Sequence, residues 1–568
     1  MRRLAGRVRA ADLWTVALAL TLLWPLRRAG YPLGRDLVFT PRQPLSAASL
    51  GLGSASPRAV PLDAIVALAS KALDGAVIGR LALLLPLVAA GCAAWRVSRP
   101  TTTAGALAAA AFAVWNPFVI ERLALGQWAL LWAYGALGWL WLAAIRIRRD
   151  FGSRLAWCAA VLALAACSIT PTGGLVGAAV FCVAAVDRVG RRLAAVLAVV
   201  LVLQLPWLVP ALSAPAGATS DPSAVAAFAS RSERGGGVLL SLLGLGGIWD
   251  SGSTPGSRVG ALGYVTTLVL AICLIIGGAE LWHRLEHRDV LRLAALAVTG
   301  FVLAAVTALP GGAAFLRWTV GTLPGAGLLR DGQKWLMPYV FFAVVCVGAT
   351  VDLLARRLAT VKLLLVMAAM FGPLLLLPDA PATLKPTLTP IHYPAGWYRA
   401  AAAVRGDGDV LALPFASYRS FAWLPATSVI DPAPRWLSRP VVVDDRLVVG
   451  GRQLLGEDRR AAAISRILAT DARRPARLAA DLAAEGIGWV WVETGSPGPP
   501  TPDLSGLRLQ VGGSGIDLYR VPDTVRKSPI SPVRWITVVI ADLLAVGLVL
   551  TALAVSALSG ARACYTRR

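Results

Sequence analysis

Apolar runs of about 17–25 residues recur along this chain, and most are closed off by a short cluster of arginines. That alternation limits the fold more than any single motif does. A run of this length crosses a hydrocarbon core about 30 Å thick, and lipid offers no partner to an open backbone N–H or C=O. The runs must therefore be helices. They fall at 11–26, 76–95, 103–118, 127–145, 155–170, 174–187, 191–211, 259–281, 290–309, 335–355, 361–377 and 533–558. The third and sixth are short, so the expectation is about twelve transmembrane helices. Composition agrees: only 15% of residues are charged, against about 25% in a soluble domain.

The formal charge of +24 would suggest nucleic acid in a soluble protein. Here the arginines sit in clusters between apolar runs rather than on one face, so nucleic acid is excluded as a partner and the lipid bilayer takes its place. The clusters Arg96–Arg99, Arg146–Arg154, Arg188–Arg192, Arg284–Arg292, Arg356–Lys362 and Arg562–Arg568 occupy alternate junctions. The other junctions are longer and hold most of the acids, from Asp36 and Asp63 to Asp250 and Asp331. The positive-inside rule then puts both termini in the cytoplasm of a multi-pass plasma-membrane protein. The first run resembles a signal peptide, but Trp24-Pro25-Leu26-Arg27 follows it instead of a small-residue cleavage site, so a retained helix is expected.

Three outer segments are longer than plain connections: 27–75, 212–258 and 310–334. Residues 380–525 change character. Prolines 378, 381, 386 and 390 suggest a stiff exit from the membrane, followed by short β-type runs at 410–413, 441–443 and 487–492. A helical stretch ending at Gly486 precedes the last run, and 507–521 reads as a hairpin about Gly512–Gly515. The fold class is thus an all-α polytopic membrane protein, residues 1–379, with a small C-terminal extracytoplasmic α/β domain at 380–525. Residues 526–568 supply a final helix and a basic tail.

Three constellations carry chemistry. Asp36, just beyond the first helix, can act as a general base on a sugar hydroxyl or hold a divalent cation; the alternative is a solvated acid beside Arg35. The second outer connection brings Asn116, Glu121, Arg122 and Gln127 into one short stretch. The planar guanidinium of Arg122 suits phosphate, whereas the alternative is a Glu121–Arg122 surface pair with Asn116 as a cap. At the entry to the helix at 335–355, Arg330 and Lys334 are four apart and could face one anion, with Asp331 and Trp335 beside them. The alternative there is a plain helix cap by Asp331.

His283 and His287 have helical metal spacing without a third ligand, so no metal site is expected there. No P-loop, nucleophile elbow or zinc-protease motif is present.

Several phrases resemble the GT-C superfamily of membrane glycosyltransferases, and more narrowly its actinobacterial arabinofuranosyltransferase-like and YfhO-like members. They are Gly34-Arg35-Asp36-Leu37, Asn116-Pro117 through Gln127, Leu329-Arg330-Asp331-Gly332-Gln333-Lys334-Trp335, and Ala484-Glu485-Gly486-Ile487-Gly488-Trp489-Val490-Trp491-Val492. The resemblance implies a GT-C-like fold and a polyprenyl-phosphate sugar donor, with arabinofuranose or mannose as the sugar. The acceptor would be a cell-envelope glycan or glycolipid on the outer face. It implies Asp36 as the catalytic base. Arg122, Arg330 and Lys334 are then expected at the donor phosphate, with Asn116, Glu121, Gln127, Asp331 and Trp335 in substrate contact. The first loop lacks the family's paired acid, so no cofactor is called for and a divalent cation stays open. Two rival readings also stay open: a non-catalytic envelope assembly factor that binds glycan, and a lipid or glycan flippase.

Overall fold

The computed structural model describes residues 2–53, 57–188, 190–214, 220–424, 428–526 and 530–565. Each of the twelve expected segments falls on a helix. Eight are long and apolar enough for a full crossing, and the bent pair Lys362–Leu376 and Ala380–Leu388 makes a ninth if it is one span. Ala10–Leu22, Arg154–Cys167 and Pro171–Ala185 are apolar but shorter. A count of twelve full spans is therefore not what the helix lengths show.

Two expected boundaries move for physical reasons. The third run does not end near 118. Asn116 accepts a hydrogen bond from the Val119 N–H (3.1 Å), capping a new helix that Pro117 starts. Together the two helices fill Thr103–Ala124, which is almost wholly buried. The proline-rich exit is also not extended: Ala380–Leu388 is a helix, turned 59° from the one before it.

The bundle is built around Thr103–Ala124, Trp128–Arg149 and Met337–Arg357, which are mostly buried. Small residues let these backbones approach. A Cβ on Gly135 would sit 2.4 Å from the Pro86 carbonyl oxygen, and one on Gly348 would sit 2.7 Å from Ala109 Cβ. The outer ring turns apolar side chains outward, with Leu201 55%, Ile275 74%, Leu363 76% and Leu543 64% exposed. Such surface is stable in lipid and aggregates in water. The chain is a multi-pass membrane protein.

The arginine clusters clamp helices together. Arg96 pairs with Asp12 (2.8 Å), Arg284 with Asp352 (2.9 Å), Arg148 with Asp289 and Arg356 with Glu280.

The C-terminal region holds a mixed five-stranded sheet in the order Arg508–Val511, Ile516–Arg520, Ile487–Glu493, Asp409–Leu413, Val441–Val442. Ile487–Glu493 is buried on both faces. Its side chains alternate, with Trp489 and Trp491 entering an aromatic core around Trp397. Val490 and Val492 enter an aliphatic one against Leu478 and Leu482 of the helix Pro475–Ala484. Gly486 follows that helix at φ +81, the left-handed conformation that favours glycine there.

This region is not merely tethered by its flanking helices. Tyr31 and Ile391 exchange backbone hydrogen bonds of 2.8 and 3.0 Å. Leu33 and Val38 of the segment 27–75 lie inside its aromatic core. That segment is therefore wedged between bundle and sheet.

Candidate active site

Asp36 sits at the tip of a two-residue hairpin turn between Leu33–Gly34 and Leu37–Val38. Arg35 precedes it at φ +53, which such turns require. The turn is held on both sides. The Arg35 N–H donates to the Ser428 carbonyl (3.1 Å), Ile430 N–H donates back to Arg35 (2.9 Å), and Asp36 N–H donates to the Leu125 carbonyl (3.2 Å). Gly126 allows the last contact: a Cβ there would lie 2.4 Å from Leu37 N and 2.9 Å from Asp36 N. The side chain of Arg35 turns away from Asp36 and pairs with Asp250 at 2.6 Å, so a solvated Arg35–Asp36 pair is not what forms.

Both Asp36 carboxylate oxygens are engaged. Tyr418 Oη donates to Oδ1 at 2.6 Å and Gln127 Nε2 donates to Oδ2 at 3.2 Å. The Gln127 Oε1 in turn accepts from Arg122 Nη1. Arg122 makes a two-pronged pair with Asp331, at 2.9 and 3.1 Å, and Lys334 Nζ stands 3.5 Å from the same carboxylate. Burial alone would raise the pKa of Asp331, but the charges of Arg122 and Lys334 bring it down to about 2. An unbroken chain thus runs Tyr418–Asp36–Gln127–Arg122–Asp331–Lys334, from the C-terminal sheet region to the start of a membrane helix.

A mycobacterial arabinofuranosyltransferase, AftD, solved by cryo-EM as a mutant, has a similar structure: TM-score 0.51, 16% identity, covering 91% of this chain and 42% of that one. The likeness is one of fold. This chain spans less than half the length of that enzyme. No protein-family model and no curated protein matches the sequence.

The three constellations singled out in the sequence converge, but not all their side chains face the same space. Arg122, expected as an open phosphate ligand, is fully buried and closed on Asp331. Arg330 and Lys334 keep 26% and 29% of their side-chain surface exposed, so they remain reachable. Burial, then the neighbouring Arg58 charge, lowers the pKa of Arg330. Its guanidinium lies over the Phe228 ring (5.1 Å) and 3.9 Å from Glu457 of the C-terminal region. Arg58 spans Glu457 and Asp445 at 3.7 and 3.6 Å.

Glu121 is not half of a surface pair with Arg122. It is fully buried, accepts from Gln333 Nε2 (2.9 Å) and borders Glu233. Glu233 is held by Arg258 at 2.8 Å. Burial alone would raise Glu233's pKa, but Arg258 and a hydrogen bond with Glu121 bring it below the ordinary value. Asn116 is a helix cap whose Nδ2 donates to the Phe112 carbonyl (2.8 Å), and Trp335 is buried rather than interfacial. Asp63 pairs with Arg435 (2.9 Å). His287 stacks on Trp282 (4.2 Å). Among the described residues no cluster of three or more His, Cys, Asp or Glu side chains could hold a metal ion.

Tyr418, Glu457, Arg58 and the role of Gly126 were not foreseen. Tyr418 lies in a short strand, Tyr418–Arg419, with no motif around it, and Arg58 is one of many loop arginines. Only Gly126 lay inside a quoted phrase, and its close approach to a turn 90 positions earlier leaves no local signal.

Proposed function

We propose that this chain is a membrane glycosyltransferase that moves a sugar from a polyprenyl-phosphate donor to a cell-envelope glycan or glycolipid at the outer face. Asp36 removes the proton from the acceptor hydroxyl, whose oxygen attacks the anomeric carbon. The bond from that carbon to the donor phosphate breaks, and the polyprenyl phosphate leaves with the electron pair. Arg330 and Lys334 stabilise the charge that develops on it. Arg122 acts through its neighbours, orienting Gln127 and Asp331.

One observation carries the reading: a half-buried carboxylate and the reachable Lys334 share one chain of polar contacts where bundle and outer domain meet, and Arg330, the residue before Asp331 of that chain, is a second reachable cation. A donor anchored in the bilayer can present its phosphate only at such a boundary. The test is transfer of labelled arabinofuranose or mannose from the polyprenyl phosphate by the purified full chain in liposomes. Transfer by the parent chain that disappears in a folded Asp36→Ala variant is expected; full transfer by that variant refutes the assignment.

A second reading is a non-catalytic assembly factor. It is favoured by the engagement of both Asp36 oxygens. It predicts glycan binding with no donor turnover in the same assay.

A further inference from the structure

At the opposite end of the bundle, about 30 Å along the helix that begins beside Gln127, four arginines surround a cavity of about 440 Å³. Arg96 and Arg99 close the helix Gly75–Ser98, and Arg146 and Arg149 close Trp128–Arg149. The rest of the wall is apolar, including Trp139, Leu142, Ile145 and Ala159.

Two of the four charges are already compensated. Arg96 pairs with both oxygens of Asp12 (2.8 and 2.9 Å) and lies over the rings of Trp95 and Trp139. Arg149 donates to Glu286 at 2.6 Å. Arg99 and Arg146 are exposed, and among the described residues neither has an acidic partner. The cavity therefore holds two uncompensated positive charges beside a greasy wall. Its parts are also fixed in place. Arg99 sits at φ +45 with its carbonyl accepting from Arg284, and Trp139 Nε1 donates to the Ala89 carbonyl (3.0 Å).

We propose that this cavity binds the headgroup of an anionic phospholipid, with Arg99 and Arg146 on the phosphate and Trp139 and Ala159 beside the first part of an acyl chain. The charge balance calls for a phosphate-bearing group, and a free phosphate shares that chemistry. The apolar wall decides for the lipid, because Trp139, 37% exposed, and Ala159 offer nothing to a soluble anion. Helix ends that carry arginines lie at headgroup depth. The site lies at the other end of the bundle from Asp36 and does not depend on the proposed sugar transfer.

The test measures lipid retained by the purified full chain after extraction from phosphatidylglycerol–phosphatidylcholine vesicles, by native mass spectrometry. Phosphatidylglycerol should be retained preferentially. The Arg99→Gln/Arg146→Gln variant should lose that preference about tenfold, and the Arg99→Lys/Arg146→Lys variant should keep most of it. Unchanged retention in the Gln variant overturns the site. Inorganic phosphate binding as tightly as the lipid overturns the lipid as occupant. If the Gln variant does not fold, Trp139→Ala carries the test: weaker lipid retention supports the proposal, and unaltered retention overturns it.

Discussion

Tyr418 donates a 2.6 Å hydrogen bond to Asp36 across 382 positions of sequence. Burial, and then the charge of Asp36, hold the tyrosine's pKa well above its ordinary value, so it stays a donor through neutral and mildly alkaline pH. A hydrogen bond to a charged partner contributes about 1.5–3 kcal/mol. Tyr418→Phe should therefore lower stability by up to that amount and the transfer rate roughly 10- to 100-fold. Transfer kinetics beside a thermal unfolding curve check this, and an unchanged rate would remove Tyr418 from the site.

Gly126 lets the turn carrying Asp36 lie against the end of the Pro117–Ala124 helix. Its φ of +81 disfavours any side chain, and a Cβ would collide with the backbone of Leu37 and Asp36. Gly126→Ala should cost about 1–2 kcal/mol from the left-handed backbone alone and displace Asp36 as well. The expected result is lost transfer with Arg122 and Asp331 still paired, read from transfer assays and a structure of the variant.

The apolar spans were legible because lipid demands length and apolarity, and both are local properties. The sheet strands at 410–413 and 487–492 were legible as short, continuous apolar runs of β-type residues. The inward turn of Glu121 and Arg122 was not. A cluster of polar groups next to an apolar run reads as a surface connection, and these become core residues only because Asp331, Gln333 and Glu233 arrive from more than a hundred positions away. The same holds at Asp36. Its phrase could be picked out, but its partners Gln127 and Tyr418 are selected by tertiary packing, not by spacing. Asn116 was read both as a ligand and as a cap, and in the structure it caps.

Arg122 and Asp331 form a buried two-pronged pair, so removing one partner strands the other's charge. Asp331→Asn should destabilise the chain by about 3–5 kcal/mol. Arg122→Met with Asp331→Leu should cost less than the two single changes added together. Thermal unfolding of the three variants, run as a double-mutant cycle, measures this. The pair also sets an acid limit. The folded pKa of Asp331, about 2, lies below the ordinary 3.8. Its contribution is therefore complete above about pH 4 and is lost as pH falls toward 2. Parent and Asp331→Asn unfolding curves should converge over that window.

Arg330 and Lys334 are the reachable cations on either side of Asp331 in the sequence, and they differ in what holds them. Arg330 lies over Phe228 and near Glu457 of the C-terminal region, whereas Lys334 stands beside Asp331 on the membrane helix. If both meet the donor phosphate, Arg330→Gln and Lys334→Gln should each weaken binding of the polyprenyl-phosphate product about tenfold, the scale of one charge-assisted hydrogen bond. Arg330→Lys keeps the charge but loses the planar fork, so it should recover only part of the affinity. Raising the salt concentration should weaken the parent more than either variant, because part of its binding is screened Coulomb attraction. Product binding measured by fluorescence competition across a salt series separates the cases. Equal affinity in parent and both Gln variants would place the phosphate elsewhere.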